Sequence, residues 1–264
     1  MRRRVALCVG TMFLLASCAS STAQPTTTLT VVAPSSTVGP TLPNAEAPAS
    51  PLLVGDGRPT MPEGRPNAVS AIPIGAPEPG KQAVGAAASE YVVVPFVVWN
   101  TTSGPSEGLK LEVTAVDPSN GKRYDGQVGA MTPNHLEPGQ WGLAIVQFLS
   151  APSLPAGTRY DVTFTEGDFV MSRAVDLTVS GVTATPVDGR RTATVTNTSS
   201  LALGSPFTAA VYCFDGDQVV STQLWLADAA NNGFTFTPGM TATISFATDP
   251  ACRSFLVGAV TGHQ

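Results

Sequence analysis

The sequence predicts an all-β protein: two β-sandwich domains in tandem behind an export segment and a long tether. Three observations lead there. The 264 residues include 25 Gly and 23 Pro, too many breakers of regular structure for a mostly helical chain. From residue 90 onward, apolar and polar residues alternate with a period of two, in short runs bounded by turn residues. Landmarks of the first half of that region return in the second half, in the same order and at a nearly constant offset.

The chain begins with Arg2, Arg3 and Arg4, followed by an apolar run over Val5–Leu15 and then Ala16, Ser17 and Cys18. A basic start, a short apolar run and a small-residue end make a secretory signal peptide over residues 1–17. The run is too short to span a bilayer, which takes about 20 residues. Leu15-Ala16-Ser17-Cys18 resembles the bacterial lipobox. That resemblance implies a diacylglyceryl thioether on Cys18, which becomes the first residue after cleavage. Two acyl chains hold a protein stably on a membrane where one does so only marginally. The expected location is therefore the extracytoplasmic face of the cell membrane, or the outer membrane in a Gram-negative source. Loss of the three arginines takes the net charge from −5 to −8, which leaves no electrostatic footprint for nucleic acid.

Residues 18–82 read as a disordered tether. Pro recurs throughout (Pro25, Pro34, Pro40, Pro43, Pro48 and on to Pro79), and the stretch holds no Phe, Trp or Tyr with which to offset its ordering entropy. As a flexible coil it would average about 45 Å end to end, and as polyproline about 195 Å, lifting the folded part clear of the bilayer. Val69, Ile72 and Ile74 form its one candidate docking strand.

In the first half, Glu90–Trp99 reads as a strand, with Pro95 at an edge or bulge. Leu109–Asp117 alternates and ends in the turn Pro118-Ser119-Asn120-Gly121, and strands over Leu143–Leu149 and Thr158–Thr165 follow. Asn100-Thr101-Thr102-Ser103 then returns as Asn197-Thr198-Ser199-Ser200, an offset of 97. Val113–Asp117 matches Val211–Asp215 at 98, and Leu136-Glu137-Pro138-Gly139 matches Phe236-Thr237-Pro238-Gly239 at 100. Pro155-Ala156, with Tyr160 and Val162, matches Pro250-Ala251, with Phe255 and Val257, at 95. An ordered set of this kind indicates a tandem duplication, with one sandwich over 83–168 and a second over 169–264.

Val195–Ser200, the strand ending Tyr212-Cys213-Phe214-Asp215, the strand Gln218–Thr222, and Pro238-Gly239 before Ala242–Phe246 together resemble the FxLYD domain of bacterial surface lipoproteins, over about residues 174–260. Val211, Cys213 and Phe214 stand where that family has Phe, Leu and Tyr. The first half, from Tyr91-Val92-Val93-Val94 through Asn100 to Pro138-Gly139, is similar to Ig-like extracellular lipoprotein domains. These resemblances imply two Ig-like sandwiches and no general enzymatic activity.

Candidate chemistry is sparse. The two histidines, His135 and His263, sit at a turn and at the penultimate position, so no Ser/His/Asp triad is read. No catalytic residue, metal site or cofactor is expected. Asp215-Gly216-Asp217 has the oxygen ligands of a Ca²⁺ loop and equally the composition of a turn between strands, and the matching Asp117-Pro118 favours the turn. Trp99 and Trp225 are assigned to cores. Trp141, after Pro-Gly-Gln at a strand start, is the candidate contact for a ligand or partner.

Cys213 and Cys252 are the thiols left beyond Cys18 after export, in a compartment that permits oxidation. By the repeat offsets they fall on Ala115 and Gly157, so both are absent together from the first copy. A disulfide inside the second sandwich is expected; the alternative is two separately buried thiols. The functional expectation is a non-enzymatic, lipid-anchored envelope protein held to the bilayer by acylated Cys18 and binding an envelope protein or wall component. The alternative is a small-ligand or glycan-binding accessory lipoprotein, which needs an enclosed apolar cleft of about 300 Å³ or more.

Overall fold

The computed structural model describes residues 27–32, 52–61, 67–84, 87–106, 110–165, 175–183, 189–204, 207–226, 235–247 and 249–261. These residues are all-β, without a helix. In the first half the strands are β1 (Thr27–Val32), β2 (Val54–Gly55), β3 (Val69–Pro73), β4 (Glu78–Val84), β5 (Ala87–Asn100), β6 (Lys110–Val116), β7 (Arg123–Thr132), β8 (Trp141–Phe148) and β9 (Arg159–Thr165). In the second half they are β10 (Asp176–Ser180), β11 (Arg190–Thr196), β12 (Leu203–Gly204), β13 (Phe207–Asp215), β14 (Gln218–Leu226), β15 (Thr235–Phe236), β16 (Thr241–Ala247) and β17 (Ser254–Thr261).

The core of each half is one antiparallel sheet folded over on itself, and β12 and β15 form a separate two-stranded ribbon in the second half. The first runs β1-β9-β6-β7-β8-β5-β3, with β4 also on β5. Its corner is β7, which pairs with β6 through its first residues and with β8 through its last, across a bulge between Val128 and Ala130. The inward residues of β5 (Val92, Val94, Phe96, Val98) meet Leu111 and Val113 of β6 and Tyr160 and Val162 of β9. Phe96 lies edge-on to Tyr160 with ring centroids 5.4 Å apart. The second sheet runs β14-β13-β17-β10-β11-β16 and folds at β10, around Leu177, Val195, Val211, Ile244 and Val257. Phe207 stacks on Phe236 at 5.2 Å.

The duplication read from the sequence is repeated in hydrogen bonds. Asn100 and Asn197 are both fully buried. The amide of Asn100 donates to Gly104 O at 3.0 Å and Leu136 O at 2.9 Å, while its Oδ1 accepts from Thr102 N at 2.9 Å. Asn197 donates to Leu201 O at 2.9 Å and Phe236 O at 2.7 Å and accepts from Ser199 N at 3.0 Å. Each asparagine carbonyl also takes an N–H 2.8 Å away, from Gly139 or Gly239, both at φ 78°. The Pro-Gly landmark is thus the turn that places this donor, and the asparagine amide adds a donor to loop carbonyls such as Leu136 O, which also accepts the Ser106 N–H at 2.9 Å. By pairing, β5, β6, β7, β8 and β9 correspond to β11, β13, β14, β16 and β17.

A third apolar cluster joins the two sandwiches face to face. Val93 and Val97 of β5 and Trp141, Leu143 and Ile145 of β8 meet Ala210, Tyr212 and Phe214 of β13, with Leu256 of β17. Strands β5, β8 and β13 are therefore buried on both faces, so their runs are apolar without alternation. Each Val, Leu, Ile or Phe among these, fully buried, contributes about 1.5–3 kcal/mol of transfer free energy.

The tether expected over residues 18–82 is built into this body wherever it is described. β1 lies on β9, and Val54–Gly55 on β17. Leu53 fills the third cluster, and β3 pairs with β5 while sending Val69 and Ala71 into the first core. Past β3, Ile74 O accepts the N–H of Val219 at 2.8 Å, and the Glu78 carboxylate accepts that of Thr222 at 3.2 Å. One segment thus covers open edges on β9, β17, β5 and β14, edges that would otherwise invite pairing with another chain. The composition of this segment is that of a tether because it builds no core of its own: isolated Leu53, Val69, Ala71 and Ile74 bury on surfaces made by later strands.

Candidate functional site

Cys18 and His263 lie outside the described residues. Cys213, at the end of β13, and Cys252, ahead of β17, form a disulfide with Cα atoms 5.2 Å apart. The bond lines a shallow groove with Val211, Ser221, Gln223 and Phe246, about 260 Å³ when counted out to solvent. Arg191 closes one side of it. Its guanidinium lies 4.7 Å over the Phe255 ring, and Nη1 donates to Thr183 O at 2.6 Å. The Gln223 amide bonds Ala247 in both directions, donating to its O at 2.7 Å and accepting its N–H at 3.1 Å, and so ties the two leaves of the second sandwich together.

Trp141 is not a surface contact. It is 2% exposed and packs in the cluster between the sandwiches. It points away from the first core, but the second sandwich covers that face, so the expected ligand or partner contact is buried. Trp99 is half-buried, with Nε1 donating to Gly139 O at 3.2 Å. Trp225 lies on β14 opposite Ala209, and its side chain is outside the described set. Asp215–Asp217 is the turn between β13 and β14, with Gly216 at φ 67°. Asp217 accepts the Thr60 hydroxyl, and Asp215 lies 3.9 Å from Arg253.

His135 Nε2 lies 3.0 Å from Glu137 on the loop between β7 and β8. The carboxylate next to that loop belongs to the other sandwich: Asp176 accepts the Asn134 N–H at 2.7 Å. Burial pushes Asp176 up to about 6, against the lowering effect of the Asn134 and His135 N–H groups. Glu78, which bonds β14 from the first half, is pushed up to about 7, chiefly by burial and further by Asp249. Both raised carboxylates bridge the two sandwiches.

The outward leaf of the second sandwich carries a surface that the sequence reading missed. Register sets Thr192 opposite Ser245, Thr194 opposite Thr243 and Thr196 opposite Thr241. On the other side, Thr178 faces Thr196 and Ser180 faces Thr194. The intervening Ala193, Val195, Ile244 and Phe246 are buried, so a lattice of hydroxyls faces out. At one end Arg190 donates to Ser245 Oγ and O, each at 2.9 Å. The strict period of two in Thr192–Thr196 and Thr241–Ser245 carried this signal.

No protein-family model, curated protein or solved structure matches the chain.

Proposed function

We propose that the chain is a non-enzymatic, lipid-anchored envelope protein that presents its paired sandwiches to a protein or cell-wall partner. The lipobox-like Leu15–Cys18 supports the location. The hydroxyl lattice on β10, β11 and β16 carries the binding reading. Threonine side chains are stiff at χ1, so a row of them offers hydrogen-bonding groups at little entropic cost. Across paired strands such groups repeat about every 5 Å, a spacing suited to an extended chain with regular hydroxyl or amide groups. The family resemblances, which imply no general enzymatic activity, agree with this.

Photocrosslinking in intact cells tests it. A photoreactive residue at Thr243 is expected to trap a discrete envelope adduct, and one at Thr114, on the far leaf of the first sandwich, is not. Equal trapping at both positions, or none at Thr243, would reject the assignment.

A further inference from the structure

We propose that β1 is a clamp that holds the folded body within about 30 Å of the bilayer instead of on a long stalk. The inference rests on the lipid-anchor reading of Cys18. Its structural basis is the ladder of β1 on β9, six residues paired from Thr27↔Phe164 to Val32↔Arg159. Without β1, β9 would end its sheet with a row of unpaired backbone groups. In the region ahead of Leu52, Thr27-Thr28-Leu29-Thr30-Val31-Val32 is the one dense run of β-branched residues, with Pro25 before it and Pro34 after it.

Covalent geometry sets the reach. Nine residue steps separate Cys18 from Thr27, and an extended chain covers at most about 3.3–3.6 Å per step, about 30 Å in all. If β1 were not paired, the first fixed residues would be those at Leu52 and Leu53, and the reach would be about 110–120 Å. The clamp therefore changes the maximum stand-off nearly fourfold. Register also selects the end of the body that faces the membrane. Thr27 sits at the end of β9 where β6 begins, since Lys110 pairs with Thr165. β5 ends at this pole and β8 starts there, with Trp99 opposite Trp141, and β7 ends there, with Thr132 opposite Leu143. The chain thus leaves the fold beside the loops 101–106 and 133–140.

Two insertions test the clamp in the full-length lipidated protein, reconstituted on supported bilayers of phosphatidylethanolamine and phosphatidylglycerol. Neutron reflectometry reads the gap between the headgroups and the folded layer. A 20-residue Gly/Ser insertion directly before Thr27 is expected to widen the gap by about 13 Å, because the coil's span grows from about 16 Å for nine residues to about 30 Å for 29. The same insertion midway between Val32 and Leu52 is expected to leave it unchanged, because those positions follow the clamp in the chain. Equal widening by both insertions, with acyl label present on the protein, would overturn the clamp alone. Absence of acyl label from the parent chain would overturn the anchor reading and the clamp with it.

Discussion

Gly258 provides a direct test of the stacking between the sandwiches. It lies on β17 opposite Ala210, in the strand pair that faces the first sandwich. A Cβ added there would sit 2.8 Å from Thr132 Cβ and 3.0 Å from Leu53 Cδ2, and closer still to Thr132 Cγ2. Carbon atoms at rest stay about 3.5–4.0 Å apart, so something must move by roughly 1 Å. Thr132 is fully buried and held in the β7–β8 ladder opposite Leu143, so it has little room to withdraw. Overpacking of this kind costs about 1–3 kcal/mol, against a gain of about 0.4–1 kcal/mol from stiffening the unfolded chain. Gly258→Ala is therefore expected to lower the unfolding free energy by about 1–2 kcal/mol in urea titrations. Thr132→Ala removes the closest atom, together with a hydroxyl that is buried without a hydrogen-bond partner. The double variant should recover at least half of the loss, a coupling of about 1 kcal/mol. If the sandwiches were independent beads on a string, Gly258→Ala would be a solvent-face change, neutral or slightly stabilising, and uncoupled from Thr132. Either of those results would refute the stacked arrangement.

Three further outcomes are expected. Asn197→Ala removes the amide donor to the buried Phe236 carbonyl and the acceptor of the Ser199 N–H, and should cost about 1–3 kcal/mol by chemical denaturation, with Asn100→Ala costing a similar amount; a loss below about 0.5 kcal/mol at both would deny the two knots their structural role. The Cys213–Cys252 bond spans a sequence separation of 39, so its removal should cost about 4 kcal/mol in the chain-entropy model, and denatured, unreduced protein should show no alkylation at either cysteine. Asp176 binds its proton more tightly in the folded state than in the unfolded state, so its contribution is full below about pH 4 and is lost as pH rises through about 6. Compared with Asp176→Asn, the parent should lose about 2 kcal/mol between pH 4 and pH 8, and parallel pH profiles for the two proteins would exclude that linkage.

What was legible in the sequence depended on how local its cause was. The strands were legible because alternation is set residue by residue, and the repeat because the asparagine knot demands Asn, Thr or Ser, and Pro-Gly at fixed positions. The disulfide followed from the repeat, since two positions that change together face one another. Trp141 and the segment 52–84, apart from the docking strand at Val69–Ile74 that β3 bears out, were misread for a common reason: their partners lie on surfaces assembled by distant strands, which a window on the sequence cannot contain. The hydroxyl lattice was written in plain alternation and was passed over because polar outward residues look like ordinary solvated surface.

The stacking itself was also written in the sequence, as missing alternation. Corresponding strands of the two copies differ in their outward residues. In the first copy, β8 is buried along nearly its whole length, while its counterpart β16 turns Thr241, Thr243 and Ser245 outward. In the second copy, β13 is buried through Phe214, while its counterpart β6 alternates, with Lys110 and Glu112 exposed. The copies have thus become apolar on opposite leaves, so the contact is front to back and not symmetric. A front-to-back contact repeats without end unless its outer surfaces are unfit to continue it. Here the β6–β9 leaf carries charge, including the Arg123–Asp161 pair at 2.9 Å, and the β11–β16 leaf carries hydroxyls. Among the described residues neither offers the apolar surface of the third cluster, so the two outer leaves present chemically distinct faces, one charged and one hydroxyl-bearing.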